Sequence, residues 1–286
     1  MNTNTVTVVN HTRRANGIRQ HYLDAESGPV VVLLRGFPET GFAWRFQIPV
    51  VAKRFRVIAP DLRGYGETDK PSSGYDKRNM ACDPVALLGE LGIEKTALAG
   101  HDRGARVATR FASDLPNRLD RLVVLDNVPT RVVAQYMTAQ VARAYWFFMF
   151  HLVPDLPEAL IIGKEAQWLR HFFSDWCYNP HAIDGVAFKT YLKAYKRPGA
   201  VRGAMSDYRA NAEDFRQDLA DADVKIRCPT KAIWGEDFYA VGGLFDVKSV
   251  LARDDRQSAR GADSRVWSLT ARGAPRTRER PSKRIL

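Results

Sequence analysis

Gly100-His101-Asp102-Arg103-Gly104 is the stretch of this 286-residue chain whose reading decides the fold. It has the form G-x-nucleophile-x-G with an aspartate at its centre. The run Thr96-Ala97-Leu98-Ala99 precedes it, and a helix-patterned segment with Arg106, Val107, Ala108, Phe111 and Ala112 follows. The context is therefore strand, tight turn, helix. Small residues flanking the central position let the chain turn sharply and push one side chain outward. The N–H of the next residue and a helix N-terminus then stand behind that side chain. A carboxylate held there can attack carbon, displace a leaving group and become an ester that water cleaves. Taken alone, the five residues also read as a helix N-cap, since Asp is a favoured cap. Their company in the chain decides between the two.

Short β-branched runs alternate with helical patterns along the chain: Thr5 to Val9, Gly17 to Leu23, Val30 to Leu34, Phe55 to Ala59, Thr96 to Ala99, Arg121 to Leu125 and Thr230 to Trp234. Val30 to Leu34 and Leu122 to Leu125 are apolar throughout, as expected of strands covered on both faces. The alternation predicts an α/β fold with a doubly wound, mostly parallel sheet. Ligands of such sheets bind beyond the carboxyl ends of the strands. Gly36-Phe37-Pro38, Asp61-Leu62-Arg63-Gly64-Tyr65-Gly66, Asp102 and Asp126 all fall there. From Pro129 to about Phe215 the alternation stops and aromatic, helical sequence takes over, which predicts an inserted helical cap. The expected organisation is a sheet core over 1–128, the cap over 129–215, the rest of the core over 216–248, and an atypical basic tail over 249–286.

The net charge of +11 first suggests nucleic acid or a membrane. Its distribution argues against both, because residues 249–286 carry +6 of it and leave only +5 for the rest. No nucleic-acid-binding motif accompanies the basic residues. Cys82, Cys177 and Cys228 are far apart and odd in number, so neither a disulfide framework nor a metal site is expected. No signal-peptide pattern is present, and no apolar run approaches the roughly 18 to 20 residues of a bilayer span. The expectation is a cytoplasmic protein with a small molecule and water as partners, no nucleic acid, no membrane and no cofactor.

Taken together, Gly36-Phe37-Pro38-Glu39-Thr40, Asp61 to Gly66, Gly100 to Arg106 and Leu125-Asp126-Asn127-Val128-Pro129-Thr130 resemble the α/β-hydrolase fold. More narrowly they resemble its aspartate-nucleophile branch: haloacetate (fluoroacetate) dehalogenases first, epoxide hydrolases next. The resemblance implies Asp102 as nucleophile and Asp126 as the acid that orients a histidine, with Asp237 as the alternative acid. It implies an oxyanion hole from the N–H groups of Phe37 and Arg103. In haloacetate dehalogenases the residue after the nucleophile is Arg and a second Arg follows, so Arg103 and Arg106 are expected to hold a substrate carboxylate. Trp146, with Tyr145 and Tyr208, matches the pocket for the departing halide; in epoxide hydrolases cap tyrosines instead protonate the opening ring. Arg35 stands where the family usually has His. A homodimer is compatible with the resemblance.

The family's catalytic histidine belongs on a loop after the last strand, and this chain has none there: His11, His21, His101, His151, His171 and His181 all precede residue 182. His101 is expected to point away from the site as the neighbour of Asp102, and His151 would require an unusual cap geometry. The Arg-rich segment from Arg253 to Arg284 has the composition of a disordered region and reads as a divergent or frameshifted terminus. The expected activity is haloacetate dehalogenation slowed or limited to one turnover. The alternatives are an epoxide hydrolase and a non-catalytic ligand-binding relative.

Overall fold

The computed structural model describes residues 6–177, 179, 182–235, 241, 244–245 and 267–268. Eight strands form one sheet: β1 (Val8–Ala15), β2 (Ile18–Ala25), β3 (Val30–Leu34), β4 (Arg56–Pro60), β5 (Thr96–His101), β6 (Leu119–Leu125), β7 (Thr230–Trp234) and β8 (Trp267–Ser268). Their spatial order is β1-β2-β4-β3-β5-β6-β7-β8. β2 runs antiparallel to both β1 and β4, and every other pairing is parallel. The doubly wound α/β reading holds. The first strand lies later than the sequence pattern predicts, at Val8–Ala15 rather than Thr5 to Val9. β1 is an edge strand exposed at seven of its eight positions, so burial imposes no apolar alternation on it. Asn16 (φ 50°) and Gly17 (φ 75°) close the β1–β2 hairpin, and this Asn-Gly pair is the sequence signal that marks its true position.

β3 shows why the central strands are apolar throughout. Val32 and Leu34 join the main core with Leu98, Phe111 and Leu122, whereas Leu33 faces a second cluster with Trp44, Ile48 and Val57. Successive side chains point to opposite faces, and both faces are covered. On the first face lie α2 (Lys77–Glu90) and α3 (Arg103–Asp114); on the second lies the short α1 (Ile48–Val51). In α3 the buried set Val107, Ala108, Phe111 and Ala112 repeats at helical spacing.

Between β6 and β7 the chain forms helices only: α4 (Thr130–Gln135), α5 (Ala139–Ala144), α6 (Trp146–Leu152), α7 (Leu156–Ile161), α8 (Glu165–Asp175), α9 (Gly185–Tyr195), α10 (Ala200–Arg209) and α11 (Asn211–Ala220). In α6, Phe147, Phe148 and His151 are buried while Trp146 and Met149 are exposed, so one face of this aromatic helix meets solvent. Asp237 and the tail, apart from Trp267–Ser268, lie outside the described residues. Among the described residues no helix is long and apolar enough to cross a membrane.

A buried ionic cluster ties this helical layer to the sheet. Asp207 on α10 is fully buried and accepts from Arg103 Nε (3.0 Å) and Nη2 (2.7 Å), Lys77 Nζ (2.5 Å) and the Tyr65 hydroxyl (2.7 Å). Burial alone would raise its pKa, but the Arg103 and Lys77 charges outweigh burial and hold the carboxyl far below its usual value. Removing Asp207 leaves the Arg103 guanidinium buried without its counter-charge and Lys77 with Asp214 alone at 3.2 Å. Asp207→Ala is therefore expected to cost about 3–5 kcal/mol, whereas Asp120→Ala, which breaks the half-exposed pair with Lys95, costs under about 1 kcal/mol. Urea unfolding midpoints of the two variants test this.

Candidate active site

The turn between β5 and α3 places Asp102 where sheet and cap meet. Its backbone is left-handed in φ (φ 55°, ψ −124°), a conformation that costs about 1–3 kcal/mol and needs support from its surroundings. Close packing supplies that support. A Cβ on Gly104 would stand 2.5 Å from the Leu34 carbonyl oxygen, and one on Gly36 would stand 2.3 Å from both the Arg103 nitrogen and Asp102 Oδ1. Bare backbone at these two positions lets the loop after β3 press against the turn. In consequence the Phe37 N–H donates to Asp102 Oδ1 at 2.8 Å. Donors so placed favour negative charge on that oxygen.

Asp102 lines a cavity of about 370 Å³ between the sheet rim and the cap. From the rim come Arg35, Phe37, Glu39, His101, Arg106, Asp126 and Asn127; from the cap come Tyr145, Phe147, Phe148, Phe172, Trp176, Cys177 and Tyr208. The helical side of the wall is mostly aromatic, and the charged groups come from the sheet rim. Burial, and then the Asp102 charge, push the Tyr208 hydroxyl well above its usual pKa, so it stays protonated. Among the described residues no group of three or more His, Cys, Asp or Glu converges as a metal site.

Asp126 follows β6 with its own left-handed backbone (φ 44°). Its Oδ1 accepts from the Gly235 N–H (2.8 Å), and its Oδ2 accepts from His101 Nε2 (3.1 Å). Burial would raise Asp126, but His101, the Gly235 N–H and Arg35 outweigh it and keep the carboxyl below its usual value. His101 is lowered, first by burial and then by Arg35, so its ring is neutral at pH 7. His101 does not point elsewhere, contrary to the expectation from sequence. Strand register decides this: His101 sits opposite Leu125, one residue short of Asp126. The left-handed turn at Asp102 also breaks the strand alternation, so His101 and Asp102 both line the cavity.

Two other expectations need correction. The Arg103 guanidinium does not face the cavity; it is 1% exposed, spans Asp207 as described, and donates from Nη1 to Asn211 Oδ1 at 2.9 Å. Its ring partner is Tyr208, 4.4 Å from the guanidinium carbon. Only the backbone nitrogen of Arg103 remains beside Asp102. Trp146 also lies away from the cavity, on an outer groove of the cap with Phe150, Leu160 and Trp168. Arg106 does line the cavity, donating to Thr130 Oγ1 at 2.6 Å and lying 5.5 Å from the Phe148 ring. Arg35, which the sequence marks only as a departure from the family, lines it too and pairs with Glu39.

A parallel sheet whose strand-to-helix turn lifts a carboxylate to the floor of a helix-capped cavity is the architecture of an α/β hydrolase. The chain belongs to the alpha/beta hydrolase fold family, whose sequence model matches residues 29–175. It is 36% identical over 235 residues to a soluble epoxide hydrolase of Corynebacterium sp. (strain C12), covering 81% of this chain and 82% of the relative. It is 35% identical over 234 residues to a fluoroacetate dehalogenase of Burkholderia sp, covering 79% and 77%. An alpha/beta hydrolase structure from Nostoc sp PCC 7120 superposes with a TM-score of 0.84 at 34% identity over 87% of both chains. These relatives identify a hydrolase.

His151 lies under the cavity floor, fully buried, with its ring 4.4 Å from Tyr208 and 5.3 Å from Phe37. Burial, and next the Arg103 charge, lower its pKa to about 3. The unfolded chain therefore binds a proton between that value and about 6.5 that the folded chain does not, so stability falls as pH drops through this window. Relative to His151→Leu, the wild type is expected to lose roughly 2 kcal/mol between pH 8 and pH 5, read from urea midpoints at the two pH values. Parallel midpoints for both proteins would contradict a neutral buried ring.

Proposed function

We propose that this hydrolase opens epoxides through an ester on Asp102. The observation that carries the reading is the Asp102 carboxylate, fixed by the Phe37 N–H on the floor of an aromatic cavity that Tyr145 and Tyr208 also line. In the first step the free Asp102 oxygen attacks an epoxide carbon and the ring C–O bond breaks. The alkoxide takes a proton from a cap tyrosine. In the second step water adds to the ester carbonyl, and the oxyanion forms against the N–H groups of Phe37 and Arg103. The tetrahedral centre then collapses and releases a diol, and the proton left on the Asp102 carboxyl returns to the tyrosinate, which restores both groups.

The cavity volume and its aromatic wall suit a substrate larger and less polar than a haloacetate. Withdrawal of Arg103 into the Asp207 cluster removes one arm of the carboxylate clamp, and the outward face of Trp146 removes a halide donor. Similarity to a protein named soluble epoxide hydrolase supports the same reading. A second reading, a 2-haloacid substrate, is favoured by one observation: Arg106 still lines the cavity. Similarity to a fluoroacetate dehalogenase supports it.

Styrene oxide is expected to raise the intact mass of the protein by the full mass of the epoxide, with the label on the peptide containing Asp102. Asp102→Ala abolishes the adduct, and Tyr208→Phe slows its formation about 100-fold. Chloroacetate is expected to give neither adduct nor chloride. Carboxymethylation of Asp102 with chloride release, in a protein inert to epoxides, would overturn this reading in favour of the haloacid one.

A further inference from the structure

The proposed ester needs a base to activate water, and the family's histidine is missing from the end of this sequence. The described residues offer a different one. His101, Asp102 and Asp126 line one cavity, and His101 Nε2 is bonded to Asp126 Oδ2 at 3.1 Å. Asp126 is held in turn by the Gly235 N–H at 2.8 Å. A carboxylate on Nε2 fixes the ring proton there and leaves Nδ1 with its lone pair. Nδ1 is buried and has no hydrogen-bond partner among the described residues. Buried polar atoms of this kind are ordinarily satisfied by protein or by ordered water; Nδ1 itself is closed off from the cavity of about 370 Å³ that the ring borders, so a small rotation of the ring must open it to water.

We infer that His101, held by Asp126, is the general base for hydrolysis of the Asp102 ester. The inference rests on the ester chemistry proposed above and assigns a catalytic residue for its second half. Water loses a proton to His101 Nδ1 as its oxygen bonds to the Asp102 carbonyl carbon. The bond from that carbon to the alkyl oxygen then breaks, and the departing alkoxide takes the proton back from the imidazolium. Asp126 stabilises the charged ring in between. Two further histidines are differently placed: His151 lies beneath Phe37 and outside the cavity lining, and His171 lies on the outer groove.

Three charged groups bear on the ring: Arg35 from the loop after β3, Asp126 after β6 and Asp102 beside it. Arg35 opposes protonation and the two carboxylates favour it. Burial and Arg35 prevail, so the ring is the free base through neutral pH. Ester hydrolysis is then expected to hold its rate through neutral pH, to begin its fall below the ordinary imidazole range, and to drop tenfold per unit once His101 protonates.

The test separates the two half-reactions by intact mass after mixing with styrene oxide. In the wild type the Asp102 adduct is expected to form and clear. In His101→Gln it forms, which shows that the variant is folded, but it clears at least about 100-fold more slowly. The wild-type pH profile of clearing tests the same base without any substitution. An adduct that persists in the wild type, clearing by His101→Gln at the wild-type rate, or a pH-independent wild-type rate would overturn the role of His101 while leaving the Asp102 ester standing. Absence of any adduct in either protein would instead overturn the ester reading and this inference with it.

Discussion

The contact between Arg103 and Asp207 is the constraint on which the site depends. It joins the residue after the turn to a cap helix 104 positions later, with two hydrogen bonds to the carboxylate and one from Nη2 to the Asp207 carbonyl at 2.6 Å. Arg103 is the first residue of α3, so fixing its side chain also fixes the backbone N–H that sits beside Asp102. Two consequences follow from one contact. The cap is seated over the cavity by a buried interaction that surface charges could not supply, and the guanidinium is spent on structure rather than on substrate.

That second consequence reshapes the chemistry. A clamp made from Arg103 and Arg106 would turn two cations on one small anion, whereas here Arg103 is neutralised and Arg106 alone remains beside Arg35. Arg35 is itself paired with Glu39. The cavity therefore holds Asp102, Asp126 and Glu39 against two arginines, and its wider wall is aromatic. Such a lining rewards apolar contact and ring stacking more than carboxylate recognition.

Much of this was legible in the chain. Val30–Leu34 and Thr230–Trp234 could be read to the residue, the first because a strand covered on both faces shows an unbroken apolar run, the second in spite of its exposed Lys231. The pentapeptide around Asp102 announced its turn through glycines whose Cβ atoms have no room. Rotations and partners were not legible. Nothing local shows whether α6 turns Trp146 or Phe147 inward, since every residue from 146 to 148 is aromatic and only packing against Phe37 and Phe172 chooses. Arg103 looked available because Asp207, which claims it, lies on another element. His101 looked misplaced because strand alternation was extended one residue too far, past the point where positive φ at Asp102 ends it.

The same turn explains why one short segment can carry two roles. In a regular strand, His101 and Asp102 would face opposite sides of the sheet. The left-handed conformation at Asp102 brings both to one cavity, at a strain that the packing of Gly36 and Gly104 absorbs. Asp126 reaches the same corner because its strand is the parallel neighbour of β5 and ends in register with it. The carboxylate proposed to form the ester is thus placed by turn geometry, and the pair proposed to cleave it by strand register. Both constraints lie between Gly36 and Asp126, in the part of the chain that precedes the basic tail.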